Sequence, residues 1–419
     1  MKETIWIVDH YTSEPKYGGI SRQYDFAGEL GKRGYNVVVI ASGFSHFAHE
    51  YIVEEGHDLK VSAISDHVHF VYLRTSRYGE NSGGGRAKNI VDFMRKVIKY
   101  EAVISKKCGE PDVVMGCSVH PLAWIAAYKI ARKYKIRFIA EIRDFWPQVW
   151  IDSGEMSRIH PMAVFFALLE KWTFKHADRI IYSMYHGDDY ICRKKGVPRN
   201  KVRLIGQPMD CERFDKNRER MDLMPQDLRQ FMESGFVCAF TGYYMKYEGV
   251  FVILEAMKLL QQENIPVKMV FVGSGQEKDA MIQMALNNQL KNVYIGDRIP
   301  KEAVSALISH SDICIAHLEA ENKGAAYQYG VSMLKINEYL YSGACTLFGF
   351  QYLNNEVVES GGGLVFEPYN AKDLAEKIKT VYFLPSEKRK EFGVRGRAFM
   401  KEKHAVERLT DDMLEVLFG

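Results

Sequence analysis

Short apolar runs of strand length alternate with helix-like patterns along nearly the whole chain, and this alternation constrains the fold more than any other feature. Continuous apolar runs are typical of parallel strands buried on both faces, and the helices between them serve as crossovers. In the first half, such runs occupy residues 4–9, 35–42, 67–74, 112–117, 137–142 and 179–183. The pattern therefore predicts a doubly wound α/β sheet.

A second alternation of the same kind begins at residue 236 and continues through strand-like runs at 267–273, 312–318 and 344–349. Between the two alternations, the segment 207–235 is polar and irregular, which is typical of a linker. For 419 residues, two or three domains are expected. We therefore expect two similar Rossmann-like α/β domains, with boundaries at 1–206 for the first, 207–235 for the linker, 236–400 for the second, and 401–419 for a C-terminal helix that packs back on the first.

The net charge of +3 is divided unevenly along the chain. Residues 1–205 carry 31 Lys and Arg against 23 Asp and Glu, a net of +8, which leaves −5 for the remainder. A basic front half favours an anionic partner such as a membrane surface or a phosphorylated acceptor, although charges on solvated faces would give the same count. The basic amphipathic stretch 88–107 could lie on such a membrane or simply cover the sheet.

Several classes of protein are disfavoured. The best apolar run, 161–169, is half the length that a membrane-spanning helix needs, and the N-terminus reaches Asp9 too soon for a signal peptide. The seven cysteines form no CxxC pair, and neither a Walker loop nor a GxSxG elbow is present. We expect a cytoplasmic protein without a zinc site or a disulfide framework.

Glycine turns at predicted strand ends are candidate phosphate-binding elements. Gly18 and Gly19 precede the first helix, and Gly242 and Gly273 follow strands of the second domain. Glycines let a ligand approach the backbone, and helix N-termini favour phosphate. Lys246 lies near the start of the next helix, where it could neutralise a diphosphate. Ordinary turns and a surface lysine are the alternative interpretation.

The segment 329–349 is the most informative one. Gly330 and Ser332 are predicted at the start of a helix, and the spacing of Ser332, Lys335 and Glu338 places these three on one broad face. A helix N-terminus with Lys335 suits a diphosphate, and the carboxylate of Glu338 could accept both hydroxyls of a ribose. Gly343 is expected to end the helix.

These residues resemble a GT-B fold glycosyltransferase of glycosyltransferase family 4. The second domain of that family carries a Glu, seven residues and a second Glu, followed by tyrosine and a small-residue turn. Most of the chain takes part in the resemblance, and the matching positions are Lys335, Glu338, Tyr339, Ser342 and Gly343, with 18–20, 34–42, 118–121, 143–148, 203–214 and 361–378. The RDFWPQ variant at 143–148 is most like bacterial enzymes that add sugars, often amino-deoxy sugars, to surface polysaccharide intermediates.

The resemblance implies a role for each matched residue. Glu338 would bind the donor ribose, Ser332 and Lys335 would lie beside the diphosphate and the sugar, and Lys246 would neutralise the departing phosphate. The remaining implied contacts are those of Gly18 and Gly19 with the diphosphate, of Gly242, Gly273 and Gly330 with the donor, of Arg298 and Ile299 with the nucleobase, of His120 with the donor sugar, and of Asp144 with the acceptor.

Three positions depart from the family pattern. Gly330 stands where the family has the first Glu of the pair, and Tyr243 and Glu248 occupy the usual Arg and Lys positions of the phosphate-binding turn. These departures keep open a catalytically weak or inactive binding or scaffold subunit. A UDP-sugar 2-epimerase of the same fold is the second alternative.

The predicted function is that of a retaining glycosyltransferase in cell-surface polysaccharide synthesis. Its donor would be a nucleotide diphosphate sugar, UDP-linked, and its acceptor a glycan or polyprenyl-linked sugar at the inner face of the membrane. Because no DxD pair is present, no metal or other cofactor is expected. Peripheral membrane contact through the basic N-terminal domain is predicted, and a nucleic-acid partner is not.

Overall fold

The computed structural model describes residues 2–18, 21–46, 48–79, 83–118, 120–152, 154, 156–318, 327–353 and 355–419. Gly19, one of the expected diphosphate contacts, lies outside these residues. The chain divides into two compact units. The first comprises residues 1–208 and 406–419, and the second comprises residues 209–405.

The first unit is built on an eight-stranded sheet in the order β3-β4-β2-β1-β5-β6-β7-β8. All neighbouring strands are parallel except β3, which runs antiparallel to β4 at the edge. The strands are β1 (Thr4–Val8), β2 (Asn36–Ser42), β3 (Leu59–Ser65), β4 (Val68–Leu73), β5 (Val113–Cys117), β6 (Arg137–Ile142), β7 (Arg179–Tyr182) and β8 (Val202–Leu204). The predicted α/β sheet is confirmed.

Helices flank this sheet, and the last of them comes from the C-terminus. They are α1 (Arg22–Lys32), α2 (Gly83–Cys108), α3 (Leu122–Tyr134), α4 (Gln148–Asp152), α5 (Pro161–His176) and α15 (Val406–Phe418). In α15, Leu409, Met413 and Leu417 lie in the same hydrophobic core as Ile5 and Val39 of the central strands. The apolar face of this helix therefore stabilises the first unit, although 197 residues of the second unit separate it from β8 and the short loop that follows.

The second unit contains a fully parallel six-stranded sheet in the order β11-β10-β9-β12-β13-β14. Its strands are β9 (Phe236–Tyr243), β10 (Val267–Ser274), β11 (Val293–Gly296), β12 (Ile313–His317), β13 (Cys345–Gly349) and β14 (Gly363–Phe366). Its helices are α6 (Cys211–Asn217), α7 (Gln226–Met232), α8 (Val250–Gln262), α9 (Lys278–Asn287), α10 (Lys301–Ser309), α11 (Leu334–Ser342), α12 (Glu356–Ser360), α13 (Ala371–Phe383) and α14 (Ser386–Lys403).

The segment 207–235, for which the composition predicts a linker, has regular structure. Helices α6 and α7 lie in it, and their Phe214 and Leu228 are buried in the core of the second unit beside Leu307. The polar composition reflects the exposed side of these short helices. From residue 209 onward, the segment belongs to the second unit.

The basic stretch 88–107 forms most of α2. Its apolar residues Phe93, Val97 and Ile104 are buried. Because its apolar side is used by the fold, α2 covers the sheet, which was the simpler of the two interpretations. Among the described residues, no helix combines the length and the apolar character needed to cross a membrane.

Candidate active site

The carboxyl ends of β9 and β12 form the edge of the second sheet where a ligand is expected. The strand order reverses here, because β10 continues the sheet on one side of β9 and β12 on the other. In open parallel sheets, ligands bind outside the carboxyl ends of the strands at such a reversal. Thr241 and Gly242 lie just before Tyr243, the last residue of β9, and His317 ends β12. The residues around these ends therefore define the candidate donor site.

The two predicted glycines, Gly242 and Gly273, are required by close packing at this edge. A Cβ on Gly273 would lie 1.8 Å from the carbonyl oxygen of Gly242. Gly242 has a φ of +144°, and a Cβ there would lie 2.9 Å from the Nζ atom of Lys335. Any larger residue at either position would displace the backbone or Lys335, so these glycines shape the site whatever ligand it binds.

Lys335 is held at the end of β9 by Glu248. Its ammonium group forms an ion pair with the Glu248 carboxylate and lies 4.9 Å from the centroid of the Phe240 ring. Glu248 is buried in the turn before α8. Glu248, one of the three departures from the family pattern, is thus the ion-pair partner of Lys335. The two residues are 87 positions apart, so no local sequence pattern could reveal the pair.

Glu338 lies one helical turn after Lys335 on α11 and also forms an ion pair. Its partner is Lys301, the first residue of α10, and the two side chains are 13% and 49% exposed, respectively. Lys301 was not among the predicted site residues, although it follows the predicted nucleobase contact Ile299 by only two residues. Because its ammonium group already binds Glu338, Lys301 can orient that carboxylate before a ligand arrives.

Arg298 lies at the same edge. Its Nε donates a hydrogen bond of 2.6 Å to the Oγ of Ser274, the last residue of β10, and its guanidinium lies 5.1 Å from the ring centroid of Tyr243. Ile299 is half-buried against the core of the unit. Arg298 therefore stacks on Tyr243, which occupies the usual arginine position of the family.

Tyr339 fixes α11 to the sheet. Its hydroxyl accepts a hydrogen bond of 2.8 Å from the backbone N–H of Thr241 and lies 3.0 Å from the Thr241 hydroxyl. The ring is fully buried. This contact sets the distance between β9 and the helix that carries Lys335 and Glu338. Tyr339 is thus a positioning residue for both charges.

The start of α11 differs from the prediction. The helix begins at Leu334, and Met333, its N-terminal flanking residue, has extended backbone angles. Ser332 therefore precedes the helix, and the expectation that it shares a helical face with Lys335 and Glu338 is wrong. Gly330 has a φ of +88°, a conformation that disfavours glutamate, which explains the departure from the family at this position. The predicted end at Gly343 is confirmed by its φ of +100°.

Lys246 lies on the exposed side of the turn that follows β9. The turn ends at Gly249, where a Cβ would lie 2.3 Å from the His317 ring. Burial lowers the pKa of His317, and the charge of Lys335 lowers it further. A neutral imidazole is thus packed beneath the turn, while the Lys246 ammonium remains accessible to an anion.

In the first unit, His120 lies just beyond the carboxyl end of β5. It is buried, and its ring centroid lies 4.6 Å from that of His10. Burial lowers the pKa of His120 well below its usual value, and nearby His10, Arg86 and Arg143 reinforce the effect. Neither ring nitrogen has a hydrogen-bond partner among the described residues. A neutral imidazole with unused hydrogen-bonding capacity can bind a hydroxyl of a ligand.

Asp144 and Gly18 also belong to the first unit. Burial raises the pKa of the Asp144 carboxyl, although the charge of Arg143 acts in the opposite direction. Gly18 follows a short turn and has a φ of +71°, and its carbonyl oxygen accepts a hydrogen bond from the Ser13 hydroxyl. A left-handed backbone at this position explains the choice of glycine.

Beneath His120, the edge of the first sheet contains a buried charge network that sequence analysis did not identify. Arg22 donates to Glu141 at 2.8 Å, and Arg143 lies 3.0 Å from Asp9. Ligand atoms of Asp9, Cys117 and Glu141 lie within 4.8 Å of one another, which would suit a metal ion. Both carboxylates are already paired with arginines, however, and burial raises the pKa of the Cys117 thiol. The cluster is therefore better described as an ion-pair network.

Comparison with known proteins identifies the family of the chain. A family model described as Glycosyltransferase Family 4 matches residues 17–213, and one described as Glycosyl transferases group 1 matches residues 229–399. Spore coat protein SA of Bacillus subtilis (strain 168) is 24% identical over 362 residues, which cover 84% of each chain.

Two solved structures illustrate the similarity of fold. A sucrose-phosphate synthase from Thermosynechococcus elongatus has a TM-score of 0.69 and 16% identity, covering 99% of this chain and 98% of that one. Anabaena Alr3699/HepE, in complex with UDP and glucose, has a TM-score of 0.67 and 14% identity, covering 99% of both chains. The two family models account for most of the sequence, and the chain belongs to the GT-B glycosyltransferases of family 4, group 1.

Proposed function

We propose that this glycosyltransferase transfers a sugar from a UDP-sugar to a glycan or polyprenyl-linked acceptor in cell-surface polysaccharide synthesis, with retention of anomeric configuration. The observation that carries the proposal is the position of Lys335 and Glu338, one turn apart on α11, beside the carboxyl end of β9. A cation and a carboxylate at this spacing match the diphosphate and the ribose of a nucleotide donor. The complex of Alr3699/HepE with UDP and glucose supports uridine as the base.

In the proposed reaction, the chain lowers the barrier mainly by stabilising the departing diphosphate. Lys335 and Lys246 supply positive charge, and the backbone at Gly242 and Gly273 allows close approach of the phosphates. The acceptor hydroxyl attacks on the face from which the diphosphate leaves. His120, neutral and without a partner among the described residues, would donate a hydrogen bond to the donor sugar.

We further propose that the reaction does not require a metal ion, because the charges that face the diphosphate are lysines. The test is the rate of transfer by the untreated protein, by the protein treated with EDTA, and by the EDTA-treated protein after Mg²⁺ is added. The proposal expects the same rate in all three conditions. A rate that falls with EDTA and recovers with Mg²⁺ would contradict it.

The acceptor is proposed to be reached from the cytoplasmic face of the membrane, on the basic first unit. Residues 1–205 carry a net charge of +8, which favours an acceptor or surface that bears phosphate. The name of the spore coat relative is consistent with a role in building a surface structure.

The decisive experiment is thermal unfolding with saturating UDP, GDP, ADP, CDP and dTDP. A ligand at a hundred times its dissociation constant stabilises the protein by about 2.7 kcal/mol, which raises the melting temperature measurably. We expect UDP to give the largest shift and Glu338→Ala to abolish it.

Glu101→Ala is the matched control. Glu101 is 9% exposed and pairs with the more exposed Lys133, as Glu338 pairs with Lys301, but it lies in the first unit on α2. This variant should keep the full response to UDP. If no nucleotide shifts the melting temperature of the wild type, the scaffold alternative becomes the better description, because Glu248 would then neutralise Lys335 permanently.

A further inference from the structure

Helix α5 exposes an apolar surface that the fold leaves uncovered. Ile159, just before the helix, is 87% exposed, and Met162, Phe165 and Leu168 are 44%, 49% and 62% exposed. The three helical residues are spaced by three, so they form one stripe along the helix. We call these four residues the α5 face. Scattered exposed apolar residues are normal on proteins, but a contiguous set of large ones marks an interaction surface.

The C-terminal half of α5 accounts for much of the packing of the helix. Leu169, Thr173 and Phe174 are buried. The single acidic residue of the helix, Glu170, also points inward, where its carboxylate pairs with Lys195 at 2.5 Å. The helix is therefore held mainly through its C-terminal half, and the α5 face carries no negative charge of its own.

Basic residues flank the α5 face. Arg158 precedes it, and Lys171 and Lys175 follow it on exposed positions of the same helix. Across residues 156–201, nine Lys and Arg stand against four Asp and Glu, a net of +5 in a chain whose total is +3. An apolar stripe between exposed cations is complementary to a bilayer with anionic headgroups, whereas a cytosolic apolar partner would not need the cations.

Aromatic side chains continue the surface towards α4. The rings of Phe165 and Phe166 lie 5.3 Å apart, and Phe166 lies 5.5 Å from Trp150. Trp150 is half-buried and contacts Trp146 at 3.8 Å between centroids. Tryptophan is favoured at the boundary between lipid chains and headgroups, because one end of its side chain is apolar and the other can bind water.

We propose that the α5 face docks the first unit on the surface of a lipid bilayer that contains anionic lipids. Ile159, Met162, Phe165 and Leu168 enter the boundary region, and Arg158, Lys171 and Lys175 contact the headgroups. A single apolar or electrostatic signal gives weak membrane binding, and α5 combines both. The basic helix α2 lacks this combination, because Phe93, Val97 and Ile104 are buried. The docking inference depends on the proposed function in one respect only, namely that the acceptor is reached at a membrane.

The test is co-sedimentation of the full chain with vesicles of phosphatidylcholine alone or of phosphatidylcholine and phosphatidylglycerol at about three to one. No nucleotide sugar is added. We expect binding to the anionic vesicles and an at least tenfold lower partition coefficient for the double variant Phe165→Ser/Leu168→Ser. Lys171→Gln and Lys175→Gln should each weaken binding about fivefold and reduce its dependence on salt.

A matched control replaces Phe383 and Val394 of the second unit by serine. These two apolar residues are each 68% exposed, at least as much as Phe165 and Leu168. This control should bind vesicles like the wild type. Equal loss in both double variants, or wild-type binding that does not distinguish the two vesicle types, would overturn the proposal. Sedimentation velocity without vesicles tests the alternative that a second copy of this chain covers the α5 face. If the wild type is a dimer that does not bind vesicles, and only the Phe165→Ser/Leu168→Ser variant is monomeric, then the α5 face mediates self-association instead.

The melting shift with UDP separates this proposal from the proposed function. Phe165 and Leu168 lie in the first unit and outside the candidate donor site, so their variant should respond to UDP as the wild type does. Loss of vesicle binding with an intact UDP response supports the docking proposal specifically. Vesicle binding without any UDP response would contradict the transferase proposal and leave the docking proposal standing.

Discussion

The carboxyl edges of the two sheets both carry paired charges, but the pairs differ in burial. In the first unit, the side chains of Arg22 and Glu141 are completely buried, and Arg143 and Asp9 are nearly so. In the second unit, each pair retains exposure, most clearly at Lys301 with 49%. Fully buried pairs are inaccessible to a ligand and serve the fold, whereas a pair that retains some exposure can exchange a partner with a ligand. The ion pairs at the first edge therefore support the fold, and those at the second edge are available to bind a charged ligand.

The largest expected effect is on the buried network of the first unit. Arg22→Met leaves the Glu141 carboxylate buried with one fewer cation, and we expect a loss of about 3–5 kcal/mol in the free energy of unfolding. All five tryptophans lie between residues 6 and 172, so tryptophan fluorescence during urea unfolding reports this unit specifically. Lys133→Met is the control, because Lys133 is 57% exposed and its pair with Glu101 should contribute little to stability. Equal effects of the two variants would contradict the comparison.

The second edge should respond in catalysis. Lys335→Met removes the cation at the end of β9, and we expect the rate of sugar transfer to fall about 10²-fold or more, as for the loss of other groups that stabilise developing negative charge. The same variant leaves Glu248 buried without its ion-pair partner. The double variant Lys335→Met/Glu248→Gln therefore serves as the control. It should regain thermal stability without regaining activity, and recovery of the rate would show that Lys335 acts only by neutralising Glu248.

Glu356 differs from the carboxylates of both edges, because it is buried in the second unit and no arginine partner is found for it among the described residues. Burial raises its pKa to about 7. A raised pKa means that the folded state favours the protonated form, so stability is complete below about pH 4.5 and decreases as the pH rises towards 7. Glu356→Gln should remove this loss and be more stable than the wild type at pH 8 by about 3 kcal/mol. Melting temperatures of both proteins between pH 5 and pH 8.5 test the prediction; parallel curves would refute it.

Lys246 should give the smallest effect. Its side chain is exposed, so Lys246→Ala should change the free energy of unfolding by less than about 0.5 kcal/mol. The rate of transfer should nevertheless fall about tenfold if the ammonium contacts the diphosphate. Lys258→Ala is the matched control, since Lys258 is a partly exposed lysine within α8, well after the turn that contains Lys246. A rate within about twofold of the wild type for Lys246→Ala would remove Lys246 from the donor site.

Much of the fold followed from local patterns. The apolar runs at 4–9, 236–242 and 312–318 became β1, β9 and β12, because a strand buried on both faces must be apolar throughout. Gly343 was recognisable as a helix end, since glycine adopts the left-handed conformation without strain. Ser332 was misplaced, because residues 330–333 lie before the helix, with a left-handed backbone at Gly330 and an extended one at Met333.

The candidate site was predictable only in its individual residues. Lys335 and Glu338 carried a local signal, as their spacing places them on one side of a helix. Their partners Glu248 and Lys301 carried none, because ion pairs between residues 87 and 37 apart depend on how α11 packs on β9 and α10. The departure at Glu248 was visible in the sequence, but its meaning became clear only when the carboxylate was found beside Lys335.

Apolar periodicity and glycine conformations are local properties, so they were sufficient to predict two α/β sheets of mainly parallel strands and the residues near the strand ends. Which charges pair, and which apolar helix faces are covered, depends on the packing of elements that are distant in the sequence. Both α2 and α5 are amphipathic or apolar and flanked by basic residues, yet the fold buries the apolar residues of one and exposes those of the other. The physical reason is that burial depends on which neighbouring elements are available to cover a face, and those neighbours are distant in the chain.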